Sequence, residues 1–342
     1  MPDENSLGFG KYFTDHMFVA NYSPEKKWHD LSIVPYGPIT LDPAASVLHY
    51  GQSLFEGMKA FQHSSGKIAL FRPRENYLRL LKGAEAVCLE APPEELFLTG
   101  IKELIQVDKR WVPKTENCSL YIRPFLFGTE AFLGVRPSQL YKFMVILSPV
   151  GNYYSEGDKP IKIWIEDRYV RAAPGGLGSV KAGANYAASL RATVIAKEKG
   201  YAQVLWLDSQ HKYVEEVGTM NIFFVFKDEI VTPELNGSIL AGVTRDTVID
   251  LLLQKSLPIK ERKISIDELL EKIQKQELLE AFGTGTAAVI SPIGSFRYLG
   301  KDYTIPTKEQ RPEPLSSQLK NQIRQIQRGD IASPKGWVEL ID

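Results

Sequence analysis

Apolar residues recur at helical spacing in two stretches of the first third of the chain. In 75–89 (ENYLRLLKGAEAVCL), Leu78, Leu81, Val87 and Cys88 fall close to one stripe. In 95–107, Phe97, Ile101, Leu104 and Ile105 repeat the pattern. Pro92 and Pro93 stand between them, and proline lacks the backbone N–H that a helix interior needs. The spacing predicts two helices with a break. The pattern then changes. Runs at 119–127, 141–147, 161–166, 202–207 and 221–226 are rich in aromatic and β-branched residues and bounded by Gly, Pro, Ser and Asp, which predicts strands. Helical spacing returns at about 184–199, 244–256, 267–276 and 315–328. Gly200 stands where a helix C-terminal cap belongs, and Thr244 or a neighbour opens the next helix.

Helices and strands intermix throughout, so the class is mixed α and β. The segment 148–160 (SPVGNYYSEGDKP) interrupts the pattern with two prolines and two glycines. It divides the chain into expected domains 1–147 and 161–342. At roughly 150 residues per domain, 342 residues suit two.

Composition narrows the partners. The chain has 41 Lys and Arg against 41 Asp and Glu, and the balance holds on both sides of residue 150, at 16 against 16 and 25 against 25. No basic lobe is available to neutralise phosphates along a nucleic acid. No charged tail marks an electrostatic membrane anchor. No run approaches the ~18 apolar residues of a membrane span. Cys88 and Cys118 are too few for a disulfide framework and read as reduced thiols. The start, MPDENSLGFGKYFTDH, lacks a basic segment followed by an apolar one, so a cytoplasmic protein is expected.

Five histidines are present, none paired at metal-ligand spacing, so a metal is not expected. The chain contains no GxGxxG, no GxxxxGK[ST] and no GxSxG. Four segments carry candidate chemistry. In 171–188 (RAAPGGLGSVKAGANYAA), small residues flank Lys181 on both sides, with Tyr186 five positions on. This is either a flexible loop with a solvated lysine or a lysine given space to form a Schiff base. In 214–224 (VEEVGTMNIFF), two acids precede Gly218. They are surface acids at a turn, or one points inward. In 238–246 (SILAGVTRD), Gly242 and Thr244 form either a plain N-cap or an anion site at a helix N-terminus. In 282–292 (FGTGTAAVISP), a Gly/Thr turn joins strands or lets backbone approach a ligand. Arg72 follows a strand-like stretch. Arg123 lies within the apolar run SLYIRPF, where a cation needs a carboxylate from the protein or from a ligand.

Together these segments resemble the branched-chain amino acid aminotransferases of the fold-type IV pyridoxal-phosphate enzymes. The similarity runs from FGKYFTDHM (9–17) to about residue 330, through SVLHYGQSLFEGMKAF (46–61), LFRPREN (70–76), SLYIRP (119–124), LGVRP (133–137), KAGANY (181–186), QVLWLD (203–208), EVGTMNIF (216–223), LAGVTRD (240–246) and FGTGTAA (282–288). Each motif alone is weak, but their order and spacing are specific. The resemblance implies an α+β, two-domain fold with a small N-terminal and a larger C-terminal α/β domain, like that of D-amino acid aminotransferase. It implies ping-pong transamination of L-leucine, L-isoleucine and L-valine with 2-oxoglutarate.

By the same resemblance, Lys181 carries pyridoxal 5'-phosphate, Tyr186 meets its phenolic oxygen, and Glu216 rather than Glu215 faces its ring nitrogen. Arg72, Val243, Thr244 and Thr286 hold its phosphate, and Leu240 packs on the ring. Phe9, Tyr50, Phe55, Tyr121, Tyr153 and Thr219 line the substrate pocket. The 286–288 turn, with Ala287, and Tyr121 receive the α-carboxylate, and Arg123 meets the side-chain carboxylate of glutamate. Leu133, Val135 and Tyr50 come from the neighbouring subunit of a homodimer. Two positions depart from relatives. Ala288 and Ser291 stand where mammalian members carry a redox CxxC, so no thiol switch is expected there, and Val180 stands where several relatives carry Tyr. Within the superfamily, a D-amino-acid aminotransferase and an aminodeoxychorismate lyase are the rival readings.

Overall fold

A computed structural model describes residues 2–151, 159–305 and 313–341. The chain divides into two units. One comprises Met1–Ser155, Val180–Ala184 and Arg324–Asp342, and the other Glu156–Ser179 and Asn185–Ile323. Two pieces of the expected 161–342 domain therefore group with the first unit. The strand Tyr141–Val150 also runs on through the first three residues of the expected 148–160 linker, because its antiparallel partner Ser119–Gly128 extends far enough to pair with them.

The first unit is built on an eight-stranded antiparallel sheet, ordered Val338–Ile341, Ile68–Phe71, Met58–Gln62, Ser119–Gly128, Tyr141–Val150, His16–Ser23, Lys27–Pro35, with Ser53–Phe55 also on Ser119–Gly128. The helix Glu94–Val107 buries Phe97, Ile101, Leu104 and Ile105, as its spacing predicts. Phe97 meets Phe143 of the sheet at 5.8 Å between ring centroids. Gly100 lets the helix approach closely, since a Cβ there would lie 2.8 Å from the Phe18 ring.

The helix Pro73–Ala86 buries a different stripe from the one its leucines suggest. Leu78 and Leu81 are exposed, while Asn76, Tyr77, Leu80, Gly83 and Ala84 face inward. The reason is close packing: a Cβ on Gly83 would lie 3.2 Å from Leu54 and 3.8 Å from Val180. Small residues, Gly83 and Ala84, share the buried face with Tyr77 and Leu80, while Leu78 and Leu81 lie off it.

The second unit holds a nine-stranded mixed sheet, ordered Val214–Val217, Gln203–Leu207, Ile161–Ile165, Val289–Tyr298, Leu278–Gly285, Asn221–Phe226, Ile230–Thr232, Ile259–Glu261, with Lys301–Thr304 on Val289–Tyr298. Ile161–Ile165 pairs in parallel with both its neighbours. Every residue of Asn221–Phe226 is buried, as expected of a strand covered on both faces.

The predicted helix at 184–199 is two, Gly183–Ala188 and Leu190–Glu198. Ser189 separates them, its hydroxyl donating to the Tyr186 carbonyl at 2.7 Å in competition with helical bonding. Gly200 closes the second with φ +84°. The Gly200 N–H donates to Lys197 (3.0 Å) and the Tyr201 N–H to Ala196 (3.0 Å), the paired bonds of a Schellman cap. Among the described residues, no helix is long and apolar enough to cross a membrane.

Candidate active site

In the first unit, the segment carrying Lys181 is tied to the short strand Ser53–Phe55. The Phe55 N–H donates to the Lys181 carbonyl at 3.1 Å, and Leu54 bridges to Ala182. The Lys181 ammonium lies over the Phe55 ring, 4.6 Å from its centroid. Burial pulls the Lys181 pKa down from the ordinary lysine value to about 8, and the Arg79 guanidinium pushes the same way. Glu56 and Tyr121 oppose the shift, and Arg123 adds to it. Glu56 is fully buried and forms a bidentate pair with Arg79, with both contacts at 2.8 Å. The solvated-loop reading of Lys181 is therefore set aside.

Arg123 rises from the strand Ser119–Gly128 between two rings. Its guanidinium lies 4.7 Å from the centroid of Phe55 and 5.3 Å from that of Tyr121, and it donates to the Tyr121 hydroxyl at 3.1 Å. No carboxylate of the described residues pairs with it, and its Nε is buried without a hydrogen-bond partner. Phe9 packs edge-on against Tyr121 at 4.9 Å. Gly57 is required beside Tyr121, where a Cβ would fall 2.1 Å from the hydroxyl. Tyr50 donates to the Leu133 carbonyl, and Tyr50, Leu133 and Val135 are all exposed. Arg72 is buried at the start of the helix Pro73–Ala86 with φ +50°.

In the second unit, a tight hairpin positions Glu216. Val217 and Met220 exchange backbone hydrogen bonds at 2.9 Å across the two-residue loop Gly218-Thr219, and Gly218 supplies the positive φ (+59°) that such loops need. One step further along each arm, Glu216 and Asn221 face each other. The Asn221 amide donates to Glu216 Oε1 at 3.0 Å and to the Leu240 carbonyl at 2.9 Å. Arg171 pairs with Glu216 Oε2 and donates to the carbonyls of Gly178 (2.9 Å) and Ser238 (2.7 Å). Asn185, its amide oxygen turned to Arg171 Nη1 at 2.6 Å, braces the guanidinium further. The choice between a surface Glu and one inward Glu resolves to neither, because both are buried. Glu215 accepts from Ser238 and Asn236. A bulge between Val214 and Glu216 turns the two successive carboxylates to the interior.

A small cavity gathers Glu216, Tyr186, Thr219 and Leu240 with Arg171, Asn185, Ser189 and Gly218. Four of the expected site residues thus share one lining. The helix Val243–Gln254 starts at Gly242 without a side-chain cap, leaving the backbone N–H groups of Val243 and Thr244 in its first turn. Gly242 is dictated by Asn221, whose Oδ1 would lie 2.0 Å from a Cβ there. Thr286 and Ala287 lie in the three-residue loop between paired strands Leu278–Gly285 and Val289–Tyr298. Val289 closes the loop with φ +62°, a conformation a β-branched residue rarely takes. Tyr153 lies outside the described residues.

Sequence reasoning gave no role to Arg171, Asn221, Glu56 or Arg79. Charged or amide side chains inside runs of small and apolar residues were the available signal.

The class IV amino-transferase family model matches residues 53–296. The branched-chain-amino-acid aminotransferase 2 of Bacillus subtilis (strain 168) is 50% identical over 337 residues, covering 98% of this chain and 92% of that protein. The branched-chain-amino-acid aminotransferase of Mycolicibacterium smegmatis is 45% identical over 341 residues, covering 98% and 92%. The crystal structure of a branched-chain aminotransferase from Thermoproteus uzoniensis with norvaline superposes with a TM-score of 0.78 at 25% identity, over 96% of this chain and 100% of that one. The branched-chain amino acid aminotransferase of Escherichia coli gives 0.76 at 25% identity, over 96% and 99%. The chain belongs to the class IV aminotransferases and, within them, to the branched-chain amino acid aminotransferases.

Proposed function

We propose that this enzyme exchanges amino groups between L-leucine, L-isoleucine or L-valine and 2-oxoglutarate with pyridoxal 5'-phosphate, giving branched 2-oxo acids and L-glutamate. The observation that carries the chemistry is Lys181, a lysine with its pKa pulled to about 8 against the Phe55 ring. Likeness to relatives at 45–50% identity carries the substrate class.

The residues suit the cofactor. A lysine near neutrality is able to add to an aldehyde. Arg171 and Asn221 fix the Glu216 carboxylate at the cavity, where it faces the ring nitrogen in this reading. Tyr186 serves the phenolic oxygen and Leu240 the ring face. Arg72, the Val243 and Thr244 N–H groups at a helix start, and Thr286 take the phosphate. Bound pyridoxal phosphate supplies a conjugated ring that takes up the electron pair left at the substrate's Cα. Lys181 holds and moves the proton at that carbon, as general base and then acid.

Phe9, Tyr50, Phe55, Tyr121, Tyr153 and Thr219 form the apolar wall, and the 286–288 turn with Tyr121 receives the α-carboxylate. Arg123 answers the second carboxylate of glutamate, and its orphaned Nε supports that role. The exposed group Tyr50, Leu133 and Val135 completes the site of the other subunit in a homodimer working in the cytoplasm. Transamination assays with L-leucine, L-isoleucine, L-valine and D-alanine against 2-oxoglutarate test the reading. Turnover of the three L-amino acids is expected, and turnover of D-alanine alone would overturn it. Lys181→Ala is expected to abolish turnover and borohydride-fixed cofactor while leaving the circular dichroism spectrum unchanged.

A further inference from the structure

Arg72 owes its conformation to the last strand of the first unit. Val338–Ile341 pairs antiparallel with Ile68–Phe71, the strand that ends just before Arg72. Immediately beyond that ladder, the Arg72 N–H donates to the Trp337 carbonyl at 2.7 Å. The Arg72 guanidinium lies over the Trp337 indole, 5.0 Å from the ring centroid, and both residues are buried. Phe71 also packs on Trp337, edge-on at 5.9 Å.

The backbone and the side chain of Arg72 are thus held by the same residue. This matters because Arg72 has φ +50°, a left-handed conformation that an arginine does not keep unless its surroundings impose it. The ladder and the 2.7 Å hydrogen bond impose it. An indole face attracts a guanidinium through its quadrupole while leaving the N–H groups at the rim of the plane to bond an anion.

We propose that Trp337 is a positioning residue for Arg72 and thereby sets the enzyme's affinity for the phosphate group of pyridoxal phosphate. The proposal rests on the assignment of Arg72 to that phosphate. In this proposal Trp337 acts through the guanidinium it carries.

Pyridoxal differs from pyridoxal phosphate only by the phosphate, so the pair separates positioning of Arg72 from general damage. Equilibrium binding of each is measured on the full chain freed of cofactor, for the wild type, Trp337→Phe, Trp337→Leu and Arg72→Met. Trp337→Leu keeps an apolar body in the core but no ring, which guards against simple failure to fold. Loss of the stacking is expected to weaken pyridoxal phosphate binding by about two- to thirtyfold while pyridoxal binding is unchanged. Trp337→Phe is expected to recover most of the loss. Equal weakening of both ligands in Trp337→Leu, or no weakening of either, would overturn the proposal alone. A wild type that binds both ligands equally, with Arg72→Met no different, would remove the phosphate role of Arg72 and the proposal with it.

Discussion

Phe55 holds Lys181 twice: its backbone N–H donates to the Lys181 carbonyl at 3.1 Å, and its ring lies 4.6 Å from the Lys181 ammonium. The lysine is therefore fixed at both ends, and burial there, with the Arg79 guanidinium close by, disfavours its charge. Its folded-state pKa, about 8, lies below the 10.5 of an ordinary lysine. Between those values the unfolded chain binds more protons than the folded one, so stability rises with pH. The contribution is fully present above the unfolded value and is lost as pH falls through about 8. Lys181→Met in cofactor-free protein is thus expected to be stabilising at pH 7, by on the order of 1–3 kcal/mol, and nearly neutral at pH 10.5. Thermal unfolding at both pH values checks this. Equal effects at the two would count against a strained lysine.

The buried pair beside Lys181 makes a prediction with two signs. Arg79 pushes the lysine's pKa down and Glu56 pushes it up. Glu56→Gln keeps the shape and leaves the guanidinium, so Lys181 is expected to lose its proton at lower pH. Arg79→Gln leaves the carboxylate, so Lys181 is expected to lose its proton at higher pH. The double variant is expected to return toward the wild type. Trace acetylation of Lys181 across a pH series, read by peptide mass spectrometry, follows the free amine. Shifts of the same sign in both single variants would refute the electrostatic account.

Glu216 and Arg171 are 4% and 6% exposed, so breaking their pair strands a charge in the interior. Arg171→Met is expected to destabilise the protein by about 3–5 kcal/mol. Adding Glu216→Gln removes the stranded charge and is expected to restore a large part of that loss. Urea unfolding of the two single variants and the double variant measures the coupling. Strict additivity would mean that the pair is not coupled in the fold.

Much of this arrangement was legible in the chain, and the part that was not has physical causes. The strands Ser119–Gly128 and Asn221–Phe226 are apolar runs bounded by turn formers, and nothing competes with that signal. Lys27–Pro35 went unseen because it is an edge strand with no buried residue, and its polar and apolar residues do not alternate. Lys181 stood out because small residues surround it. Arg171 lies in the same segment, but its importance comes from Glu216 and Ser238, 45 and 67 positions away, and local spacing carries no trace of such contacts. The inward face of Pro73–Ala86 was misread for a related reason. Gly83 faces inward because Leu54 and Val180 fill the space, and both are distant in sequence.

Arg123 provides the sharpest test of substrate choice. It lies over the rings of Phe55 and Tyr121, donates to the Tyr121 hydroxyl, and pairs with no carboxylate of the described residues. In the proposed reading, an apolar amino acid leaves that guanidinium with its present partners, whereas glutamate and 2-oxoglutarate bring a second carboxylate to it. A charge-assisted hydrogen bond contributes about 1.5–3 kcal/mol, equivalent to roughly ten- to 150-fold in binding. Arg123→Met is therefore expected to raise the KM for 2-oxoglutarate by that factor. The half-reaction with L-leucine, followed by single-turnover spectroscopy, is expected to change by no more than a few-fold, since Met preserves the apolar contact with Phe55. Equal losses for the two substrates would assign Arg123 to the frame of the pocket and leave the recognition of glutamate to another residue.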